Sequence, residues 1–337
     1  MNQQRNGQMR KLLLPILLII IPLLGGCAEE QPQGPLSETR LLLDTYCTIT
    51  IYEPYDPALL EEAFELCAKY EATLSRTVEG SDVWRVNHAG GLPVTVDPKT
   101  AALIRTGLDY GGMSDGMFDI TIGRLSSLWD FGKSSTVPPE PDLIAARETV
   151  DHGRVTVTGA TVLLADPKAW LDLGGIAKGY MADEIAGFLM ERGVEGAVID
   201  LGGDISVIGA KPDGDPWRVG IRDPFSESRE VFGVLSTGEA SVVTSGIFER
   251  RFVEDGVLYH HILDPVTGMP AEIDIVGVTL VTESATAGDA FATALIVGGS
   301  EKAEALLEKV PGLIGAILAL ESGELIRYGD IDLQLIG

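Results

Sequence analysis

Cysteine and histidine are scarce in this chain, with three and four copies among 337 residues. Cys27, Cys47 and Cys67 are too few for the disulfide framework of a small secreted domain, and with so few histidines they do not make a zinc centre. Cationic residues are also short: 25 Lys and Arg face 50 Asp and Glu, a formal charge of -25. No basic surplus exists to neutralise a phosphate backbone, so nucleic acid is excluded as a partner. No apolar run reaches the roughly 20 residues that cross a bilayer. No repeat or Pro/Ser-rich linker divides the chain, which favours one catalytic unit over independent modules. What is plentiful is glycine, 40 residues, with 18 prolines in no short period. At 45% hydrophobic and 22% charged residues, the balance is that of a turn-rich globule with ample length for a core.

The first residues have their own logic. Arg5, Arg10 and Lys11 precede the apolar run Leu12 to Leu24, which Pro15 and Pro22 interrupt, and Leu24-Gly25-Gly26-Cys27 follows. A positive region, an apolar region and small residues before a cleavage point form a secretory signal. Its end resembles a bacterial lipoprotein signal, which implies cleavage after residue 26 and a lipid on Cys27; an uncleaved anchor is the alternative. Cleavage removes three basic residues and no acidic one, so an anionic membrane surface repels the remainder and acyl chains supply the attachment. The expected organisation is a signal peptide over 1–26, a flexible polar tether over 27–38 and a catalytic domain over 39–337. The expected location is a cell membrane, lipid-anchored, facing the periplasm or the exterior. Cys47 and Cys67 are expected in the core, and their spacing does not argue for a disulfide.

Within the domain, Leu41 to Tyr52 reads as one strand and Pro57 to Ser75 as a helix capped by Asp56. Further helices are expected over Pro98 to Gly111, Asp142 to Glu148, Ile176 to Arg192, Thr286 to Val297 and Glu301 to Val310. A hairpin turns at Gly159 between Val155 and Ala165. Gly196 to Leu201, Asp204 to Gly209, Trp217 to Arg222 and Val231 to Ser236 read as a meander, Ile275 to Thr282 as a strand, and Ile314 to Leu320 with Leu325 to Tyr328 as a closing hairpin. Strands and helices intersperse without strict alternation, which predicts an α+β fold of mixed sheets.

Five segments concentrate chemistry. Asp172 to Asp183 carries Gly174-Gly175 into a helix, where backbone N–H groups and the helix dipole suit a phosphate; a tight turn explains the same glycines, and neither the dinucleotide fingerprint nor the P-loop is present. Asp200-Leu201-Gly202-Gly203-Asp204 reads as a hairpin turn. Thr244-Ser245-Gly246, ahead of Glu249-Arg250-Arg251, offers hydroxyls to phosphate oxygens or forms an ST-turn. His260-His261 precedes Asp264-Pro265; neighbours on a strand face opposite sides, and His261 is the general-base candidate, a plain core or surface pair being the alternative. Asp289 and Thr293, at i and i+4 on a helix of small residues, offer a carboxylate and a hydroxyl that suit Mg²⁺; a plain acid at the helix start is the alternative for Asp289.

In order along the chain, Leu43-Asp44-Thr45, Leu74-Ser75 through Ser81-Asp82 to Asn87, Phe118-Asp119-Ile120-Thr121, Asp172 to Asp183, Gly202-Gly203-Asp204, Thr244-Ser245-Gly246, His261 to Gly268 and Asp289 to Thr293 resemble the FAD:protein FMN transferase family, the ApbE flavin transferases. The resemblance spans about residues 40 to 330. It implies an ApbE-like α+β fold, FAD as substrate, Mg²⁺ as cofactor, and transfer of FMN through a phosphoester to a Thr or Ser of a target protein with release of AMP. It implies catalytic roles for His261 and Asp289. FAD contacts would come from Leu43, Arg76, Met117, Phe118, Asp119, Gly174, Tyr180 and Leu263, and metal contacts from the Ala177 carbonyl, Asp289 and Thr293. Acceptors would be flavoprotein subunits with a Ser/Thr-Gly-Ala-Thr/Ser segment. One departure stands out: Leu43-Asp44-Thr45 replaces the Met-Gly-Thr common in the family. Two rival readings remain, an FAD pyrophosphatase with water as acceptor and a non-catalytic flavin-binding lipoprotein.

Overall fold

The computed structural model describes residues 34–336 except 44, 53–54, 227–229 and 273. The signal peptide, Cys27, residues 27–33 of the tether and Asp44 lie outside the described residues. In chain order the strands are β1 (Leu36–Leu42), β2 (Thr45–Ile51), β3 (Val94–Thr95), β4 (Val155–Thr158), β5 (Thr161–Leu164), β6 (Gly196–Leu201), β7 (Ile205–Gly209), β8 (Trp217–Arg222), β9 (Val231–Thr237), β10 (Ala240–Gly246), β11 (Arg251–Glu254), β12 (Val257–His260), β13 (Ile275–Thr282), β14 (Leu313–Leu320), β15 (Leu325–Gly329) and β16 (Asp332–Leu335). The helices are α1 (Ala58–Leu74), α2 (Asp82–Asn87), α3 (Pro98–Met113), α4 (Gly123–Trp129), α5 (Glu140–Arg147), α6 (Ala177–Glu191) and α7 (Ala285–Leu307).

An eight-stranded sheet, ordered β1-β2-β6-β7-β10-β13-β14-β15, carries the fold, and its ladders are antiparallel throughout. On one face, Cys47, Ile49 and Ile51 of β2 and Ala197, Ile199 and Leu201 of β6 share a core with Phe64 and Cys67 of α1 and Met181 and Ile185 of α6. On the other, Trp217, Val219 and Ile221 of β8 and Leu235 of β9 pack on Val207, Val242, Val281 and Ile317 of the large sheet. Every residue of β13 is buried, which explains why it carries no charged residue and no apolar–polar alternation: a strand covered on both faces has no solvent side. The class is α+β, as expected.

Several expectations change. Leu41 to Tyr52 is not one strand, because the chain reverses after Leu42. Leu43 takes a left-handed φ of 56° there, and its N–H donates to Glu71 Oε1 at 3.1 Å. Glycine or asparagine usually marks such a turn, and here leucine hides it. Strand pairing starts at Leu36, among residues expected as tether: Leu36 pairs with Ile51, and Ser37–Thr50 and Thr39–Thr48 hydroxyl pairs extend the ladder. The meander also breaks, because β8 and β9 leave the large sheet to pair with β16. At the C-terminal end the two expected helices form one span, α7, interrupted at Gly299 with φ 68°.

Candidate active site

The site is built where α6 meets α7. Gly179 permits the approach: a Cβ there would stand 2.2 Å from the Ala285 carbonyl oxygen, so the helices touch backbone to backbone. One turn on, Asp183 caps α7 from the side. Its carboxylate accepts from Ala285 N at 2.8 Å, Thr286 N at 3.0 Å, Ser284 Oγ at 2.7 Å and Thr286 Oγ1 at 2.6 Å. These bonds satisfy orphan donors of the first turn and fix the register of α7 against α6.

Held by that junction, Asp289 is buried, and its Oδ2 accepts from Gly179 N at 3.1 Å. Its Oδ1 lies 3.9 Å from Lys178 Nζ, and the same ammonium is bonded to Asp204. Burial lifts the Asp289 carboxyl to about 6; Lys178 opposes that rise, and Asp204 and Glu249 add to it. Glu249 is also pushed up, first by burial, against Lys178. Burial works against the charge of Lys178, yet Asp204 and Asp289 outweigh it and hold the ammonium above its ordinary value.

The other glycine segments converge on this cluster. Thr244 N donates to Asp204 Oδ1 at 3.4 Å, joining the third segment to the second. Gly202 and Gly203 both have positive φ, 76° and 102°, so the expected hairpin turn is present, and the space for a Cβ at Gly202 is filled by the Thr45 side chain at 2.6 Å. Ahead of α6, Asn87 clamps Leu171 through both main-chain groups, and Asp172 accepts from Gly174 N at 2.9 Å and from Arg76 Nε at 3.0 Å. Arg76 thus acts on the loop that carries Gly174. A Cβ on Gly175 would sit 3.2 Å from the Phe118 ring and 3.7 Å from Thr293 Oγ1, so Phe118, Gly175 and Thr293 line one cradle.

The flavin-side residues are less unified. Asp119 uses its carboxylate internally, accepting from Thr121 N and Oγ1 at 2.8 and 2.6 Å and meeting His152 Nδ1 at 2.9 Å. Tyr180 packs edge-on against Tyr70, in a group with Glu184 and Lys99. Leu263 is buried with Leu125 and Trp129 in a separate small core, and Met117 lies beside Lys302 Nζ, 3.9 Å from its sulfur. A cavity of about 280 Å³ lined by Arg124, Asp142, Thr149 and Lys168 contains none of the expected site residues.

The two histidines part company because β12 ends at His260. The His260 ring bonds the Ala271 carbonyl at 3.1 Å, while His261 N donates to Arg250 O at 3.0 Å from a bend beyond the strand. Burial, with Arg250 and His260 behind it, lowers the His261 ring to about 4, so it is neutral at pH 7. Its buried Nδ1 has no hydrogen-bond partner among the described residues.

The residues fit a divalent cation of the expected kind. Among the described residues no three His, Cys, Asp or Glu side chains form a metal group. The expected donors, one carboxylate, one hydroxyl and one carbonyl, are a different set, and the buried Asp289 carboxylate has one N–H and a distant ammonium for compensation. Thr293 Oγ1, one turn on, is 3.4 Å from the Asp289 carbonyl. Lys178, Asp204, Glu249 and Asp183 were part of the quoted segments but drew no role from spacing; their partners lie far along the chain.

Comparison with known proteins identifies the chain's relatives. A sequence model of the ApbE family matches residues 43–318. An FAD:protein FMN transferase of Treponema pallidum is 38% identical over 322 residues, 88% of each chain, and one from Vibrio cholerae is 32% identical over 87% of this chain and 90% of that one. Among solved structures, the ApbE protein of Thermotoga maritima superposes with a TM-score of 0.79 at 31% identity, covering 87% of this chain and 97% of its own. The flavin transferase ApbE of Vibrio cholerae gives 0.78 at 28%, covering 88% and 97%.

Proposed function

The chain belongs to the ApbE family, and from that premise we propose that it is an FAD:protein FMN transferase that attaches FMN to a threonine or serine of a target protein. A bond forms between the acceptor oxygen and the FMN phosphorus, the bond from that phosphorus to the bridging oxygen breaks, and AMP leaves. The observation that carries the reading is the under-compensated Asp289 carboxylate beside the Gly175, Phe118 and Thr293 cradle.

Asp289, Thr293 and the Ala177 carbonyl would hold Mg²⁺, which when bound supplies charge neutralisation at the diphosphate. The chain's own residues do the rest. The Gly174-Gly175 loop, fixed by Asp172 and Arg76, leaves room for the substrate's diphosphate to approach, and Lys178 adds the local positive charge. His261, neutral at pH 7, takes the hydroxyl proton on its ring. Phe118, Met117, Tyr180, Leu43 and Leu263 are proposed to position the flavin end, by apolar contact at Leu43 in place of the usual methionine.

Export and lipid attachment through Cys27 are part of the proposal, supported by the leader's residue order. Among the described residues no helix is long and apolar enough to cross a membrane. The proposed acceptors carry a Ser/Thr-Gly-Ala-Thr/Ser segment. Incubation with FAD, Mg²⁺ and such an acceptor should add one FMN to the acceptor's intact mass and release AMP. Release of FMN and AMP without mass gain would make the protein a pyrophosphatase, and FAD binding without AMP release would make it a flavin carrier.

A further inference from the structure

Cys47 and Cys67 take no part in the proposed chemistry, and both are free and fully buried in the core between the large sheet and α1. The contacts of the first hairpin bring them opposite one another. Cys47 pairs in register with Arg40, so the two side chains share a face of the sheet. Arg40 on that face bonds Glu61 and lies over the Phe64 ring, 4.4 Å from its centroid. Farther along the same helix, Glu71 accepts from Leu43 N at 3.1 Å. Helix α1 therefore runs along the hairpin with Phe64 at one end of the contact and Glu71 at the other, and Cys67 falls between them, one turn from Phe64 on the buried face. Cys47 Sγ donates to the Leu42 carbonyl at 3.6 Å, and the two thiols act on one another: Cys67 favours the thiolate at Cys47, and Cys47 disfavours it at Cys67.

We propose that Cys47 and Cys67 are a redox pair that closes into a disulfide tying β2 to α1 when the chain folds with a disulfide oxidant present. Cys47 thiolate attacks the oxidant R–S–S–R and releases RS⁻; Cys67 sulfur then displaces the second RS⁻ and forms the Cys47–Cys67 bond. Two electrons pass to the oxidant, which leaves as two RSH carrying the two thiol protons. The burial of both sulfurs implies that closure accompanies folding and that the finished bond is shielded from exchange. The proposal is independent of the transferase reading, since neither sulfur touches the site.

The sequence supplies a direct readout. No Lys or Arg lies between Arg40 and Lys69, so trypsin releases 41–69 as one peptide holding both cysteines, with Cys27 on another. The reduced full-length protein is refolded in a glutathione redox buffer, quenched by alkylation in denaturant and digested. Peptide 41–69 should appear without alkyl groups and two hydrogens lighter. Its ratio of closed to doubly alkylated form should be at least about tenfold higher than in the same buffer with concentrated urea, because native geometry raises the effective concentration of one thiol at the other. An equal or lower ratio in the folded protein, or glutathione retained on one cysteine without closure, would overturn the proposal.

Discussion

Acid should weaken this protein through His261, and the effect can be isolated by subtraction. The ring's value falls from 6.5 to about 4 on folding, chiefly because burial disfavours its charged form. Between those values the unfolded chain binds a proton that the folded chain refuses, so stability rises with pH across the window and is lost as pH falls from 6.5 toward 4. A gap of that size corresponds to about 3 kcal/mol, and the residue's remaining solvent contact trims the expectation to about 2 kcal/mol. Asp289 works in the opposite direction, since its value is raised to about 6 and its contribution falls as pH rises from 3.8. The comparison therefore uses wild type against His261→Gln, both of which carry Asp289. Urea unfolding followed by tryptophan fluorescence at pH 7, 6, 5 and 4.5 should show wild type losing stability relative to the variant at each step, with most of the change between 6.5 and 4.5. A difference that stays constant from pH 7 to 4.5 would refute a buried, neutral ring, and with it the basis for His261 as a ready proton acceptor.

The remaining expectations concern the helix junction. Asp289→Asn keeps the shape and the Gly179 bond but lowers the negative charge, so transfer should fall by about a hundredfold or more while the melting temperature changes little; near-normal rates in a chelator-treated assay would remove the carboxylate from the metal role. Gly179→Ala inserts a methyl where 2.2 Å is available to the Ala285 carbonyl, and should cost about 3 kcal/mol in urea unfolding as α6 and α7 separate. Asp183→Ala strips four bonds from the start of α7 and should cost about 2 kcal/mol or more, with Mg²⁺-dependent transfer reduced because Asp289 loses its register; unchanged stability would mean that the cap is dispensable.

What was legible in the sequence follows from how locally each feature is determined. Strands β6, β8 and β13 and helices α3 and α6 sit within a residue or two of their expected bounds, since apolar runs bounded by Gly, Pro and Asp are written in consecutive residues. The hairpin of β11 and β12 was missed although Asp255-Gly256 carries the signal, with φ values of 50° and 81°; the surrounding charged residues masked the alternation. The turn at Leu43 had no such signal. In the site, Asp289 and Thr293 were legible because i and i+4 share a helix face. The bond from Lys178 to Asp204 spans 26 positions and that from Asp183 to Thr286 spans 103, and no local period encodes either. They depend on the approach of α6 to α7 and on the turn at Gly202, both of which are properties of packing.

That packing also accounts for how so anionic a chain can handle an anionic dinucleotide. Around Lys178 the fold gathers Asp204, Asp289 and Glu249, with Arg222 and Arg250 acting on Glu249, and burial lifts Asp289 and Glu249. The surplus of negative charge favours a small, divalent partner, which the proposed Mg²⁺ satisfies. Under the proposed function substrate and cation would strengthen each other's binding, because each relieves a charge that the other would face alone. The glycines at 175 and 179 then have complementary tasks: one leaves room for the ligand, and the other lets α7 come close enough to bring Asp289 to it.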